Sequence, residues 1–118
     1  MIGARSGSSE RALGIRSALG DYRRLVAIVS RLLVEAAGVE DHDRLEQAVE
    51  TRFVDGPPEG LMVHLGYPQG DHLLIVEAWR TEELFRSYMA DVLGPALEEA
   101  GLTAREPEVG PAWSIARP

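Results

Sequence analysis

A histidine and a glutamate in two successive apolar segments could together remove a proton from a bound molecule. His64 lies in LMVHLGY, residues 61–67, and Glu77 lies in HLLIVEAW, residues 72–79. A carboxylate beside a histidine selects the ring tautomer and stabilises the imidazolium, so that the ring can act as a general base. We therefore predict catalytic roles for both residues. The alternatives are that His64 is a hydrogen-bonded core or interface residue and that Glu77 pairs with an arginine across a dimer.

Four further side chains could bind a flat hydrophobic molecule beside this pair. Trp79 and Tyr88 could form an aromatic wall, and the Tyr88 hydroxyl could donate a hydrogen bond to a developing oxyanion. Met62 and Phe85 complete the predicted substrate-binding residues. Trp79, Tyr88 and Phe85 also fit a hydrophobic core, since tryptophan is mostly buried in proteins and Tyr88 shares a helical stripe with Phe85.

The sequence offers little for metal or thiol chemistry. No cysteine is present, which excludes disulfides, thiolate ligands and cysteine nucleophiles. The histidines His42, His64 and His72 are too few to complete a four-ligand zinc site by themselves. His42 stands between Asp41 and Asp43, but consecutive helical residues point in different directions, so a solvated helix start is the simpler interpretation. We predict no metal site.

Composition and charge exclude several classes of partner. With 118 residues, 45% of them hydrophobic and 26% charged, the chain has the composition of one globular domain. The net charge of −7 argues against non-specific nucleic-acid binding, which needs a basic face. No apolar run reaches the roughly 18 residues of a membrane helix, and residues 1–20 lack the apolar core of a secretory signal. We expect a cytoplasmic protein with a flexible leader, residues 1–20, and one domain, residues 21–118.

The first half of the domain is predicted to contain a strand and a helix. Residues 23–35 fit both strand alternation and helical spacing, and the β-branched residues from Val26 to Val29 favour the strand. Residues 40–53 place apolar side chains on one helical face. These are Leu45, Ala48, Val49 and Phe53.

Two strands joined by a tight turn are predicted next, at residues 61–67 and 72–79. We place Gln69 and Gly70 at the centre of the turn, which pairs His64 with Ile75 and Met62 with Glu77. In this register His64, Glu77 and Trp79 share one face of the sheet, whereas a slip by one residue would move His64 to the other face.

A long helix is predicted to follow, with Thr81 as its N-cap. Gly94 and Pro95 interrupt it, and a second helical segment ends at Ala100 with Gly101 as a left-handed cap. The buried stripe of the long helix is predicted to comprise Leu84, Phe85, Tyr88, Met89, Val92 and Leu93.

A last strand is predicted at residues 112–116, which completes the order strand, helix, strand, strand, helix, strand. With right-handed crossovers this order forms an α+β, ferredoxin-like βαββαβ sandwich with a four-stranded antiparallel sheet. The strands at residues 61–67 and 72–79 are apolar on both faces, whereas the helices can cover only one. We therefore expect a second copy of the chain to cover the other face, as a homodimer.

Residues 59–103 combine a glycine-bounded strand, a next strand ending in Trp79, a helix start at Thr81 followed by acids, and a late Gly-Pro-Ala-Leu segment. In these features the chain resembles the antibiotic-biosynthesis-monooxygenase (ABM) type of dimeric α+β barrel, over roughly residues 23–117. The resemblance implies this fold, a homodimer and a hydrophobic small-molecule ligand. The superfamily includes cofactor-free monooxygenases of aromatic polyketides, polyketide cyclases and haem-degrading enzymes.

Three departures from this family narrow the implied chemistry. The cofactor-free and haem-degrading branches typically place an asparagine in the site, and this chain has none. The haem-degrading branch uses a histidine in the helix after the tryptophan, where this chain has residues such as Met89 and Ala90, so we expect no haem. Tyr88 stands about where the cyclase branch has its tyrosine, but Leu73 and Gly94 occupy the positions of that branch's histidines.

The resemblance and the residues together predict a small homodimeric enzyme that binds an aromatic or polyketide-like molecule in a pocket between sheet and helices. It would act without a cofactor as a monooxygenase, or as a cyclase or isomerase, like the enzymes of antibiotic biosynthesis that the chain resembles. The alternative is a non-catalytic ligand-binding or structural dimer of the same fold.

Overall fold

The computed structural model describes residues 26–53 and 56–115, in which helices cover one face of a four-stranded antiparallel sheet. In chain order the elements are β1 (Ile28–Val34), α1 (Val39–Glu50), β2 (Leu61–Gln69), β3 (His72–Trp79), α2 (Glu82–Tyr88), a π-helical turn (Met89–Leu93), α3 (Gly94–Ala100) and β4 (Glu108–Pro111). The strand order across the sheet is β2-β3-β1-β4, which confirms the predicted ferredoxin-like topology. The predicted leader, residues 1–20, lies outside the described residues.

Alternating side chains of β1 and β3 build the core on the helix side of the sheet. This confirms the strand interpretation of the first apolar segment over Ile28–Val34. The paired core residues are Ile28 with Trp79, Leu32 with Ile75, and Val34 with Leu73. All four apolar residues of the predicted α1 face pack into the same core, with Leu45 and Ala48 buried. The helix therefore lies over the sheet with its predicted face inward.

The turn between β2 and β3 differs from the prediction. Gln69 pairs with His72, so the turn consists of Gly70 and Asp71 rather than Gln69 and Gly70. Gly70 has a φ of +60°, which glycine adopts at low cost because it has no Cβ. Placing glycine first in the turn moves the turn one residue along the chain.

This change also corrects the pairing of the two strands. His64 lies opposite Glu77 and not Ile75, so the predicted pairing of Met62 with Glu77 is wrong. Met62 itself lies where the ladder is irregular, between Leu61 and Val63. The partner of His64 differs from the predicted one by two residues, an even number, so the side chain of His64 stays on the face of the sheet that it shares with Glu77.

The helical stretch after β3 begins and ends as predicted. The backbone N–H of Leu84 donates to Thr81 Oγ1 at 3.1 Å, and Gly101 ends α3 in the left-handed conformation with a φ of +71°. Phe85, Tyr88 and Leu93 of the predicted stripe are buried, and the other members pack against the core.

The predicted interruption at Gly94 and Pro95 is a widened helical turn. The N–H of Gly94 donates to the carbonyl of Met89, five residues earlier. Pro95 has no N–H to donate, and its ring would collide with the carbonyl four residues before it in a regular helix. The wider turn removes that conflict and lets the helix continue to Ala100.

The last strand is Glu108–Pro111, and the predicted strand at residues 112–116 is wrong. The chain already runs beside β1 from residue 103 onward, because Glu35 N donates to Thr103 O and Arg105 N to Leu33 O. It therefore reaches the beginning of β1 by residue 111. Trp113, which lies within the predicted strand, is 93% exposed.

On the face of the sheet that points away from the helices, the exposed large apolar side chains of the described residues lie on β2. Val63, Leu65 and Tyr67 are all more than one third exposed there, whereas Leu74 and Ala78 of the adjacent β3 are buried. The homodimer across this face stays a prediction. No helix among the described residues is long and apolar enough to cross a membrane.

Candidate functional site

A cavity of about 150 Å³ lies between α1 and the β2–β3 hairpin, and side chains of α2 and the π-helical turn complete its wall. Its apolar lining includes Leu45, Val49, Phe53, Leu61, Ile75 and Leu93. Its polar lining includes His42, Glu46, His64, Glu77 and Tyr88. An apolar cavity with a few convergent polar groups is the usual form of a small-molecule site.

His64 and Glu77 are in direct contact inside this cavity wall. Their position as a cross-strand pair brings His64 Nδ1 within 2.7 Å of Glu77 Oε2. The hydrogen bond to Glu77 raises the pKa of His64 above its ordinary value of 6.5; partial burial opposes this rise, and the charges of Glu77 and Glu46 add to it. The predicted partnership between the two residues is therefore present as a short hydrogen bond.

The carboxylate of Glu77 is buried and receives donors on both oxygens. Its side chain is 3% exposed, and its Oε1 accepts a hydrogen bond from Trp79 Nε1 at 3.0 Å. Two donors stabilise the charged form of a buried carboxylate, whose desolvation would otherwise be costly. This arrangement also fixes the carboxylate, and through it the ring of His64.

Tyr88 lines the same cavity, and its hydroxyl is neutral. Burial raises its pKa, and the charges of Glu77 and Glu46 add to this effect. The hydroxyl therefore stays protonated and can act as a hydrogen-bond donor. The ring is held by contacts with Trp79 at 4.8 Å and with Phe53 at 6.2 Å between centroids.

The other predicted substrate-binding residues lie around the cavity but do not line it in the described part of the chain. Trp79 and Phe85 are buried, 0% and 1% exposed, with their ring centroids 6.0 Å apart in the core. Met62 lies in the irregular part of β2 and is half-buried. In this structure Trp79 acts on the site through its hydrogen bond to Glu77.

Two residues of α1 belong to the site and were not predicted. His42 and Glu46 line the cavity next to His64, with His64 Nε2 3.5 Å from Glu46 Oε1. The interpretation of His42 as part of a solvated helix start considered only its sequence neighbours. Its i,i+4 spacing from Glu46 places both on one helical face, and this signal could have identified them.

The second ring nitrogen of His64, Nε2, is the atom available for chemistry, and Glu46 Oε1 lies 3.5 Å from it. Because Nδ1 donates to Glu77, Nε2 carries the lone pair in the neutral ring, and the ring itself lines the cavity. A molecule in the cavity could therefore give a proton to Nε2 while the Tyr88 hydroxyl donates to an oxygen atom of the same molecule.

Comparisons with known proteins support the fold. No protein-family model matches the chain, and no curated protein matches it either. Among solved structures, the protein YJCS is similar at 12% identity and a TM-score of 0.53, over 74% of this chain and 98% of that chain. SnoaB, a cofactor-independent oxygenase from Streptomyces nogalater, is similar at 19% identity and a TM-score of 0.51.

A variant of SnoaB is similar at 17% identity and a TM-score of 0.52, and both SnoaB structures match over 76% of this chain and 94% of theirs. Identities this low show a common fold and leave the reaction open. The chain therefore shares the α+β fold of YJCS and SnoaB.

Proposed function

We propose that this protein is a small homodimeric enzyme that removes a proton from a hydrophobic, aromatic or polyketide-like molecule bound in the cavity. The observation that carries the proposal is the 2.7 Å contact between His64 and the buried Glu77 in the wall of an apolar cavity. His64 Nε2 is the general base, Glu77 stabilises the imidazolium that forms, and Tyr88 donates to the developing oxyanion.

The proton would come from a carbon atom next to a carbonyl or phenol group, and its electron pair would pass into the conjugated system. From this carbanion three outcomes are open. Dioxygen can add to the carbon, after which one oxygen atom stays as a carbonyl and the other leaves as water. Alternatively, an internal carbonyl can accept the electron pair, which closes a ring, or the proton can return elsewhere, which isomerises the molecule. None of these steps needs a redox cofactor.

The size of the cavity limits what it can enclose. A cavity of about 150 Å³ holds roughly one aromatic ring. A larger fused-ring molecule would place its reacting ring inside and extend past the half-exposed side chains of α1 and β2. Trp79, Phe85 and Met62 would then act mainly by supporting the wall.

Anthrone is a suitable probe, because it has an acidic CH₂ group conjugated with a carbonyl and reacts with one O₂ to give anthraquinone and one water. The wild-type chain should accelerate oxygen consumption and anthraquinone formation, and His64→Ala and Glu77→Gln should each lose that acceleration. Glu50→Gln is the matched control, since Glu50 also lines the cavity, whereas the ion pairs of His64 among the described residues are with Glu46 and Glu77.

Equal rates for His64→Ala and the wild type would remove the general-base role. The non-catalytic alternative, a ligand-binding or structural dimer, predicts that anthrone binds without any acceleration of its oxidation or of hydrogen exchange at the CH₂ group in D₂O.

A further inference from the structure

His42, Glu46 and His64 bring one potential ligand atom each into a small group at the edge of the cavity. His42 Nε2 lies 3.3 Å and His64 Nε2 lies 3.5 Å from the same oxygen, Glu46 Oε1. One ligand atom from each of the three residues lies within 4.8 Å of the other two. The group joins two helical residues to a strand residue distant in the sequence, so the fold itself assembles it.

These distances match the edges of a metal coordination tetrahedron. Nitrogen and oxygen ligands lie about 2.0–2.2 Å from Zn²⁺, so two ligands of a tetrahedral ion are roughly 3.3–3.6 Å apart. Both contacts of Glu46 Oε1 fall in this range. The third separation, between the two imidazole nitrogens, is at most 4.8 Å, so a bound ion would require at most a modest movement of the two rings.

Both histidine rings are also oriented in the way that metal-bound histidines are. His64 Nδ1 lies 2.7 Å from Glu77 Oε2, and His42 Nδ1 lies 3.3 Å from Asp43 Oδ1. A carboxylate on one ring nitrogen fixes the tautomer that leaves a lone pair on the other, and this is the usual outer contact of a metal-bound histidine. Here it occurs twice, and both Nε2 atoms face the same glutamate oxygen.

The backbone of β2 leaves room for the His42 ring. Gly66 stands two residues after His64, and a Cβ built on it would lie 3.3 Å from His42 Nε2. The absence of a side chain at Gly66 lets the His42 ring lie close to the strand beside His64.

We propose that His42, Glu46 and His64 form a binding site for a divalent transition-metal ion such as Zn²⁺, with the remaining coordination position open to the cavity. Two imidazoles and one carboxylate suit zinc and its neighbours better than Mg²⁺ or Ca²⁺, which prefer oxygen ligands. The site goes beyond the proposed function, which needs no metal, and it shares His64 with that function. A bound ion would occupy the Nε2 lone pair, so the metal-bound chain could not use His64 as a proton acceptor.

Isothermal titration calorimetry of the full, chelator-treated chain with ZnCl₂ tests the site without any substrate. We expect one Zn²⁺ per chain and no comparable heat with MgCl₂. His42→Ala and Glu46→Gln should raise the Kd by at least tenfold. Glu77→Gln, which leaves all three ligands in place, should raise it by about 10–100-fold through loss of the outer contact.

Glu50→Gln is the matched control for Glu46→Gln, because Glu50 lies one turn further along α1 and also lines the cavity. It should bind Zn²⁺ as the wild type does, and circular dichroism should show that each variant is folded. The site is refuted if the wild type binds no Zn²⁺ at one per chain, or if His42→Ala and Glu46→Gln bind as tightly as the wild type. Equal weakening by Glu50→Gln would also refute it, since that would indicate diffuse attraction to surface acids. Because no turnover is measured, failure of this site leaves the anthrone experiment unaffected.

Discussion

His64 and Glu77 face each other across the β2–β3 ladder and share a hydrogen bond of 2.7 Å, while Trp79 donates to the other oxygen of the same carboxylate. The three residues form a line from the core to the cavity. Trp79 is fully buried, Glu77 is nearly so, and the side chain of His64 is 36% exposed. A group that can exchange protons with a ligand is thus held by groups that water does not reach.

The pKa of His64 should lie above 6.5 in the metal-free chain, and Glu77→Gln should lower it. The groups that face the ring are Glu77 on β3 and Glu46 with His42 on α1. The Glu77 contact favours the imidazolium, so removing the charge favours the neutral ring. NMR titration of the histidine ring signals in chelator-treated protein measures this, and an unchanged pKa in Glu77→Gln would contradict the pairing.

Glu77→Gln should also change the neutral tautomer of His64. The amide oxygen can accept from Trp79 Nε1, but the amide nitrogen can only donate, so His64 Nδ1 would have to accept. The proton would then move to Nε2. Nitrogen chemical shifts of the ring distinguish the two tautomers, and retention of the Nδ1–H form in the variant would show that the assigned hydrogen bonds are wrong.

Replacement of Trp79 should mainly lower the stability of the fold, because Trp79 lies in the core and does not line the cavity. Trp79→Ala should lower the free energy of unfolding by about 3–5 kcal/mol, because it empties a fully buried site in contact with Tyr88 and Phe85. Trp79→Phe keeps a ring but removes one donor to Glu77, and should cost roughly 1–3 kcal/mol. Urea unfolding at one fixed protein concentration measures both, and a wild-type transition for Trp79→Ala would be incompatible with its burial.

Gly94→Ala should destabilise the widened helical turn. A Cβ at this position would lie 2.8 Å from the carbonyl oxygen of Met89, so the backbone would have to move, at a cost of roughly 1–3 kcal/mol. Gly110→Ala is the matched control, because a Cβ there meets nothing within 4 Å. Thermal unfolding of the two variants should differ clearly, and equal melting temperatures would show that the turn tolerates a side chain.

The proposed homodimer should be broken by a charge on the exposed face of β2. Leu65 is 55% exposed, so Leu65→Glu costs an isolated chain little but would bury a charge in a dimer. Val39 is 74% exposed at the start of α1, and Val39→Glu is the control for the added charge. Light scattering after gel filtration should show a dimer for the wild type and Val39→Glu and a monomer for Leu65→Glu. A wild-type monomer, or a dimeric Leu65→Glu, would exclude this interface.

Local patterns predicted most of the elements, because each element satisfies its own periodicity. The alternation in β1, the apolar face of α1 and the Thr81 cap depend on residues within a few positions of one another. The last strand was misplaced for the same reason. Nothing near Trp113 in the sequence indicates that residues 103–105 are already paired with the end of β1.

The candidate site was predicted only in part. The shared face of His64 and Glu77 followed from strand alternation, which an even shift of register does not change. Their direct contact did not follow, because it depends on whether Gly70 stands first or second in the turn. The contribution of α1 was missed, because no spacing relates His42 to a residue on β2.

The sequence by itself determined most of the strands and helices and which of their side chains face the core, since both depend largely on short-range periodicity. Only the tertiary structure decided that His64 meets Glu77 at hydrogen-bonding distance and that His42 and Glu46 reach the same ring. The physical reason is that turn geometry and the placement of α1 over the sheet are set by packing among residues far apart in the chain. Those contacts gain free energy only after the separate elements have come together.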